Sequence, residues 1–442
     1  MPRVVYKAVL SIVSPITRNS SRLFSYLRKR LVQNIAALYV VQFSNYLLPL
    51  LTVPYLSRVL GPDGWGAYVF FQSIGLFVWA VVEYSFTVTA TREVAMNKDA
   101  IQARADWIAK VLGAKSLLSL AVILAAFVAF SLFPMVQNHS ALFWWAIVWA
   151  ITFGWNLQWY LQGLERMKLA ATLDLIAKTV ATVGIFLFVH NPEESWRAFA
   201  MQATANILTL LVALFVAYRE VPFHFPSFDS AVSALHIGWR IFTARLAVTF
   251  SATGNNFILG LFAPPALIGF FGGADKIVGA TSSLLCNPVT QAVFPRLSHS
   301  LQHEPERAEY LIRKSYRWMF MLGALSALVL FFGAPLIVRI LLGQGYEATV
   351  PVLKVMAVIP LLLALTNVFG MQWMLAKKLD KQFNRIVIGS ALLNVTFAWL
   401  LIPTYGIVGM AWAVCTAKIV ELVATNVVLV RVKMHPILNA KN

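Results

Sequence analysis

Charged side chains interrupt stretches of this sequence that are otherwise apolar, and they are the residues best able to do chemistry. A charge at the centre of a membrane costs roughly 2.5 to 3.5 kcal/mol on the insertion scale, so these groups cannot all face lipid. We expect them to face the protein interior, a water-filled cavity or each other. Six are basic and four are acidic, an excess that would suit an anionic substrate group: Glu83, Lys115, Asp174, Lys178, Arg245, Asp275, Lys276, Lys354, Lys418 and Glu421.

Two pairs of these charges have helical spacing. Asp174 and Lys178 are four residues apart with the acid first, which is the favourable order for an ion pair on one helical face. Lys418 and Glu421 are three residues apart. Each pair either neutralises itself so that it can be buried or contacts a substrate, and the sequence leaves both interpretations open.

Three of the remaining charges stand alone on their helices. Arg245 has no acid within helical reach, so we predict that its charge contacts an anionic substrate group, with snorkelling to the cytoplasmic surface as the alternative. Lys115 and Lys354 lie near the ends of their apolar stretches. Both are expected at the membrane interface.

Twelve apolar stretches position these charges. Hydrophobic residues make up 59% of the chain and Asp, Glu, Lys and Arg only 12%. A helix needs about 20 residues to cross roughly 30 Å of hydrocarbon, and stretches this long and continuous are not barrel strands. We therefore predict an all-α polytopic membrane protein with spans near 33–56, 66–91, 111–133, 141–162, 169–189, 197–218, 239–262, 266–294, 317–341, 350–376, 384–402 and 407–430.

Lys and Arg alternate between the loops that join these spans. The N-terminal arm, every second loop and the C-terminal tail are basic, whereas the other loops and their borders hold only Arg58, Arg197 and Arg339. Short loops follow the positive-inside rule, so both termini are expected in the cytoplasm. The net charge of +18 is then explained by topology and by contact with the lipid bilayer. Nucleic acid is not an expected partner, because the basic residues are dispersed among loops.

Metal and catalytic chemistry are not indicated. Cys286 and Cys415 both fall inside spans, where packing is the expected role, and His299 and His303 lack a third ligand in a clear pattern. Loops on the side poor in Lys and Arg do not exceed about ten residues, which leaves little room for a catalytic domain. We expect no metal, no cofactor and no enzymatic activity.

Weak internal similarity suggests two halves. An offset of 203 residues places Gly66 on Gly269 and Gln72 on Asp275, as expected for parallel repeats that bind substrate at their interface. The predicted organisation is a basic cytoplasmic arm (1–31), an N-terminal six-helix lobe (32–218), a cytoplasmic linker (219–238), a C-terminal six-helix lobe (239–431) and a cytoplasmic tail (432–442).

Local motifs along nearly the whole chain resemble those of one family. The chain is similar to the Wzx-type polysaccharide flippases of the multidrug/oligosaccharidyl-lipid/polysaccharide exporter superfamily. One departure is that Asn255 and Asn256 stand where many relatives carry a charged residue. The matching segments are the turn 60–68, residues 82–86 and 89–92 at the end of the second span, 159–167 at the end of the fourth, and 258–260, 269–270 and 274–277 in the seventh and eighth.

The resemblance implies a function and a fold. Such proteins have a MATE-like fold and move undecaprenyl-pyrophosphate-linked oligosaccharide repeat units from the cytoplasmic to the periplasmic leaflet of the bacterial inner membrane, by alternating access between two lobes. The polymer would be O-antigen, capsule or exopolysaccharide, with a polysaccharide polymerase and a chain-length regulator as partners. Coupling to a proton or sodium gradient is left open. The substrate-binding candidates are Arg245, Lys178, Asp174, Lys276, Asp275, Lys418, Glu421, Glu83 and Arg92.

Aromatic residues add a second type of candidate contact. The third and fourth predicted spans contain many of them, and the sugars of such a substrate would favour polar and aromatic walls. Interface anchoring is the alternative role for tryptophans near span ends. The residues concerned are Phe143, Trp144, Trp145, Trp149, Trp155, Trp159 and Tyr160.

Two other functions remain as alternatives. A cation-coupled multidrug antiporter of the same superfamily would share the fold but should prefer an acidic cavity. A membrane-embedded polysaccharide polymerase or sugar transferase would need a sizeable periplasmic loop, which the short loops disfavour.

Overall fold

The computed structural model describes the backbone of residues 21–437. Within that range, the side chains of 21–47, 49, 50, 247, 251, 252 and 302 are not described. Residues 1–20 of the predicted arm and 438–442 of the predicted tail lie outside the described residues. The described residues form helices joined by short loops and contain no strand, which confirms the predicted all-α class.

Fourteen α-helices follow one another along the described chain. Pro192–Glu194 adds a short 3-10 helix, and Asn367–Met374 a π-helical segment. The α-helices are α1 (Ser21–Glu83), α2 (Phe86–Met96), α3 (Ile101–Leu132), α4 (Pro134–Asn138), α5 (Ser140–Gly154), α6 (Gln158–Gly163), α7 (Met167–Phe188), α8 (Ser195–Tyr218), α9 (Phe228–Gly260), α10 (Pro265–His303), α11 (Pro305–Leu341), α12 (Thr349–Met356), α13 (Ile359–Thr366) and α14 (Asp380–Arg431).

Two of these helices are hairpins rather than single rods. α1 is broken at Gly61 and α14 at Gly406, where φ is 66° and 56°. Positive φ is a conformation that glycine adopts without the steric cost of a Cβ. Ser390 Oγ donates to the carbonyl oxygen of Ala417 over 2.9 Å, so the two halves of α14 run side by side.

Twelve helical segments correspond to the twelve predicted spans. Nine helical stretches of the described chain are long and apolar enough to cross a membrane. Two of those stretches are divided by the breaks at Gly61 and Gly406, and α9 covers the predicted seventh span. In chain order, spans 1 to 12 are 21–60, 62–96, α3, α5 with α6, α7, α8, α9, α10, α11, 349–374, 380–405 and 407–431.

Several helices begin earlier in the chain than their apolar pattern predicts. α9 begins at Phe228, so only 219–227 of the predicted linker 219–238 is without helix, and the linker bounds stay a prediction. α3 likewise begins at Ile101 and α11 at Pro305, in sequence that carries charged residues. Hydrophobicity marks only the part of a helix that lies in lipid, so these polar turns escape a search for apolar stretches.

Spans 2 and 8 approach each other closely at two equivalent pairs of residues. A Cβ on Gly66 would lie 1.7 Å from the carbonyl oxygen of Pro265, and one on Gly269 would lie 2.3 Å from that of Pro62. Both relationships connect positions that the 203-residue offset equates, Pro62 with Pro265 and Gly66 with Gly269. Reciprocal contacts of this kind are those of a two-fold axis between two halves.

The two six-helix groups meet chiefly through four helices. Span 8 and span 7 both pack against α1, and span 7 also packs against span 3. Spans 1–6 are called the N-terminal lobe below, and spans 7–12 the C-terminal lobe. The end of the molecule that carries the loops 97–100, 164–166 and 219–227 is called the basic end, and the other the opposite end.

Candidate functional site

A cavity of about 470 Å³ lies between the lobes. Span 2 contributes Gln72 and Ser73, span 7 contributes Asn256, and span 8 contributes Asp275 and Lys276. Most of the remaining wall is aliphatic. The cavity therefore combines an apolar surface with a few polar groups from both lobes, the usual composition of a ligand site.

Lys276 is the cation of this cavity. Its Nζ donates to Gln72 Oε1 across the lobe interface over 2.7 Å. Among the described residues no carboxylate oxygen lies within 4 Å of that nitrogen. The neighbouring Asp275 instead accepts from Asn256 Nδ2 over 3.2 Å. An ammonium group held by a neutral amide keeps its charge available to an anion that enters the cavity.

A second pocket, of about 310 Å³, opens inside the N-terminal lobe. Val53, Gln72 and Lys276 line both this pocket and the interlobe cavity, so the two adjoin at Lys276. We call it the N-lobe pocket. Its other polar and aromatic lining residues are Thr52, Trp65, Tyr68, Trp149, Phe153, Asp174, Lys178, Thr182, Gln202 and Asn206.

Tyr68 is fixed at the wall of the N-lobe pocket by its neighbours. Its ring stacks on Phe199 at 4.5 Å and on Trp65 at 5.6 Å. Its hydroxyl accepts hydrogen bonds from Gln72 Nε2 over 3.3 Å and from Gln202 Nε2 over 3.1 Å. Two amide side chains are thereby held against one aromatic wall.

The two predicted ion pairs both form. Lys178 Nζ lies 2.6 Å from Asp174 Oδ2, and the pair borders the N-lobe pocket. Lys418 Nζ lies 2.8 Å from Glu421 Oε2, which also accepts from Ser390 Oγ. The Lys418 pair is packed between spans 11 and 12 and lies outside the lining of both cavities.

Arg245 has an acidic partner, which corrects the inference that its charge is free. Its Nη1 lies 3.2 Å from Glu83 Oε2, on a helix of the other lobe. Spacing along a single helix cannot predict this ion pair, because the two residues meet only when the lobes pack. The Arg245 side chain is still 37% exposed, and its contact with an anionic group stays a prediction.

Lys115 is buried rather than interfacial. It is 1% exposed, and its Nζ donates to the carbonyl oxygens of Gly154 and Asn156 over 2.7 and 3.2 Å. These carbonyls are left without helical partners where span 4 breaks between α5 and α6, so the ammonium group caps the broken helix. Lys354 is exposed, with its Nζ 5.8 Å from the centroid of the Phe331 ring.

Arg92 and the aromatic candidates lie in different parts of the structure. Arg92 is exposed at the basic end, where its Nη2 lies 3.2 Å from Glu93 Oε1. Of the predicted aromatic contacts, Trp149 lines the N-lobe pocket. Trp159 and Tyr160 belong instead to the hydrophobic core at the basic end.

Uncharged amides are the site residues that sequence reasoning missed. Gln202 and Asn206 line the N-lobe pocket and carry no signal in the charge pattern. Gln72 was noticed only through the internal offset, and Asn256 only as a departure from the family motif. A search for every polar side chain within the spans, not only for charges, would have found them. The cavities hold two lysines and two aspartates, so the basic excess of the spans does not extend to their walls.

The geometry defines a class of protein: a multi-pass helical membrane protein whose two lobes enclose a polar cavity. The model of the polysaccharide biosynthesis protein family matches residues 31–301, and the chain belongs to that family. The resemblance predicted from the motifs is thereby confirmed.

Two relatives extend the match over most of the chain. Both are named "Putative O-antigen transporter". The protein of Escherichia coli strain K12 is 31% identical over 411 residues, which are 92% of this chain and 97% of the relative. The protein of Shigella dysenteriae is 25% identical over 394 residues, 88% of this chain and 97% of the relative.

Solved structures confirm the predicted MATE-like fold. "Lipid II flippase MurJ, inward closed conformation" has a TM-score of 0.72 at 15% identity, over 89% of this chain and 87% of that one. An inward-facing multidrug resistance MATE family transporter of the MOP superfamily has a TM-score of 0.66 at 15% identity, over 88% and 95%.

Proposed function

We propose that this protein is a flippase for undecaprenyl-pyrophosphate-linked oligosaccharide repeat units, which it moves from the cytoplasmic to the periplasmic leaflet for assembly of O-antigen or a related polysaccharide. It acts as a transporter rather than an enzyme. The family and the names of the two relatives support transport of a polysaccharide precursor.

The observation that carries the proposal is the position of Lys276. Its ammonium group lies in a cavity between the lobes, is held by the amide of Gln72, and has no carboxylate within 4 Å among the described residues. Charge-assisted hydrogen bonds from a lysine are well suited to pyrophosphate oxygens. The polyprenyl chain would stay in the lipid while the pyrophosphate contacts Lys276.

Contacts between the lobes support alternating access. At the basic end, Arg245 pairs with Glu83, Ser85 Oγ donates to the Gly238 carbonyl over 3.2 Å, and Tyr84 stacks on Phe242 at 4.3 Å. We call these contacts the basic-end latch.

The opposite end has a separate set of contacts. There Tyr346 donates to the Ser57 carbonyl over 2.8 Å, and Ser57 Oγ donates to that of Leu342 over 3.2 Å. Because the two sets lie at different ends of the interface, one can break while the other holds. In the proposed cycle they open in turn.

The proposed orientation has both termini in the cytoplasm, so that the basic end faces the cytoplasm. Reporter fusions after Asp99 and His303 should then report cytoplasm, and fusions near Asn138 and Glu194 should report periplasm. A cytoplasmic signal at Asn138 or Glu194 would overturn this orientation.

Deletion and complementation in the source strain test the function. Loss of the gene should abolish the surface polymer and cause lipid-linked oligosaccharide to accumulate, and the wild-type gene on a plasmid should reverse both effects. A deletion strain with normal polymer but increased sensitivity to cationic drugs would contradict the flippase and favour the antiporter.

A further inference from the structure

The N-lobe pocket has a composition that the pyrophosphate does not explain. Asp174 and Lys178 neutralise each other at its wall, and Lys276 is the one further charged lining residue, at the junction with the interlobe cavity. The remaining polar groups are neutral: the amides, the indole N–H of Trp65 and the hydroxyls of Thr52, Tyr68 and Thr182. A second anion would be repelled by Asp174, and an alkyl chain would bury these amides without hydrogen bonds, which is costly. The pocket suits a neutral ligand that is rich in hydroxyl groups.

Several polar atoms at this wall have hydrogen-bonding capacity left. Asn206 Nδ2 and Trp65 Nε1 are buried donors without a partner among the described residues. Asp174 uses Oδ2 for Lys178, and Gln202 donates its amide to Tyr68 and to the Ala198 carbonyl. Oδ1 of Asp174 and Oε1 of Gln202 therefore add acceptors of the kind that sugar hydroxyls bind.

Aromatic surface is present beside these groups. Trp149 and Phe153 line the same pocket and stack on each other at 6.1 Å. A pyranose ring has apolar C–H faces and a polar rim, so an aromatic wall next to amides and a carboxylate complements it. The volume of about 310 Å³ lies at the lower end of the range of small-molecule sites, roughly 300–1,000 Å³.

We infer that the N-lobe pocket is the sugar-binding compartment of the transporter, and that Asn206 and Gln202 with Asp174 select the glycan. This inference rests on the proposed function, because it places the sugar end of the same substrate. Lys276 lines both cavities and would hold the pyrophosphate at their junction. A substrate anchored there can extend its sugars into the N-terminal lobe.

Binding measurements on the purified full-length protein test the inference. The probes are the lipid-linked oligosaccharide that accumulates in the deletion strain and undecaprenyl pyrophosphate without sugars. Wild-type protein should bind the glycosylated lipid about tenfold more tightly, the effect of one or two net hydrogen bonds. Lys276→Gln should weaken binding of both lipids by the same factor.

Two variants of the pocket should remove the preference for sugar. Asn206→Leu and Gln202→Met should each bring the two affinities to within about twofold while the affinity for undecaprenyl pyrophosphate stays unchanged. Asn206→Leu should fold normally, because it replaces a buried donor that has no partner. Thr204→Val is the matched control: the residue is exposed on the same helix, and among the described residues its hydroxyl bonds only the Ala200 carbonyl.

The possible results distinguish the sugar-binding inference from the proposed flippase function. If wild-type protein prefers the glycosylated lipid and both pocket variants keep that preference, the sugars bind elsewhere and the inference is wrong. Equal wild-type affinity for the two lipids would also overturn it while leaving the flippase intact. If the wild-type protein binds neither lipid, the proposed function itself fails.

Discussion

The two lobes share a layout but differ in what their helices enclose. Spans of the N-terminal lobe surround a pocket with Tyr68 and Gln202 at its wall. In the C-terminal lobe, Val352, Leu353 and Met410 fill the hydrophobic core with 0% exposure. The N-terminal lobe thus encloses a polar pocket, whereas these apolar side chains are fully buried in the C-terminal lobe.

The two charged pairs show the same difference at the level of single residues. Asp174–Lys178 and Lys418–Glu421 are both intrahelical ion pairs, and only the first borders a cavity. Burial of an ion pair is therefore weak grounds for assigning a site, because neutralisation alone makes burial affordable. The two ion pairs differ in that only Asp174–Lys178 borders a cavity.

The largest effect is expected from joining the lobes. A Cβ on Gly238 would lie 2.4 Å from Ser85 Oγ, so cysteines at both positions are close enough to cross-link. In a Cys286→Ser/Cys415→Ser background, oxidised Ser85→Cys/Gly238→Cys should export no polymer, and reduction should restore export. Ser85→Cys alone controls for oxidation. Normal export by fully cross-linked protein would show that the lobes do not separate at the basic end.

Removal of the cavity charge should have the next largest effect. Lys276→Gln keeps a donor for Gln72 but loses the charge, so export should fall about 100-fold at normal membrane levels. Lys276→Arg should retain part of the activity, because the charge remains while its shape changes. Polymer export is measured against protein content of the membrane. Wild-type rates for Lys276→Gln would remove this residue from the transport pathway.

Replacing each ion pair separately tests whether the two lobes differ in function. Asp174→Leu/Lys178→Leu should reduce export about tenfold, since it removes polar contacts from the N-lobe pocket. Lys418→Leu/Glu421→Leu should change export less than about twofold, because a buried pair can be replaced by apolar residues without a large loss of stability. Equal effects of the two double variants, at equal membrane levels, would contradict the division of tasks between the lobes.

The smallest effect is expected at the basic-end latch. Glu83→Gln and Arg245→Gln should each lower export roughly fivefold, and the double variant should be no worse than either single one, because both remove the same interaction. If Arg245 instead contacts the substrate, Arg245→Gln should still impair export in the Glu83→Gln background. A double-mutant cycle of export rates distinguishes these outcomes.

The helical fold could be predicted almost completely from the sequence. Twenty-residue apolar stretches determine the number of spans, because lipid leaves the backbone few alternatives. The helix ends could not be predicted as well, since α9 begins at Phe228 in polar sequence that carries no membrane signal. The glycine contact between spans 2 and 8 was visible only as a weak offset, Gly66 on Gly269.

The site was only partly predictable, for a physical reason. The pairs Asp174–Lys178 and Lys418–Glu421 depend on local helical spacing, and both form as predicted. The partner of Arg245 and the bond from Lys276 to Gln72 depend on how the lobes pack, which spacing along one helix does not encode.

Reconstitution tests the central claim most directly. Purified protein is placed in liposomes that contain the lipid-linked oligosaccharide in both leaflets, and a membrane-impermeant reagent oxidises the sugars exposed outside. With wild-type protein, oxidation should proceed beyond the outer half until nearly all sugar is consumed, whereas Lys276→Gln liposomes should stop near one half, as protein-free liposomes do. Wild-type liposomes that also stop at one half, with protein shown to be folded and inserted, would contradict the proposal that this chain moves the substrate across the bilayer.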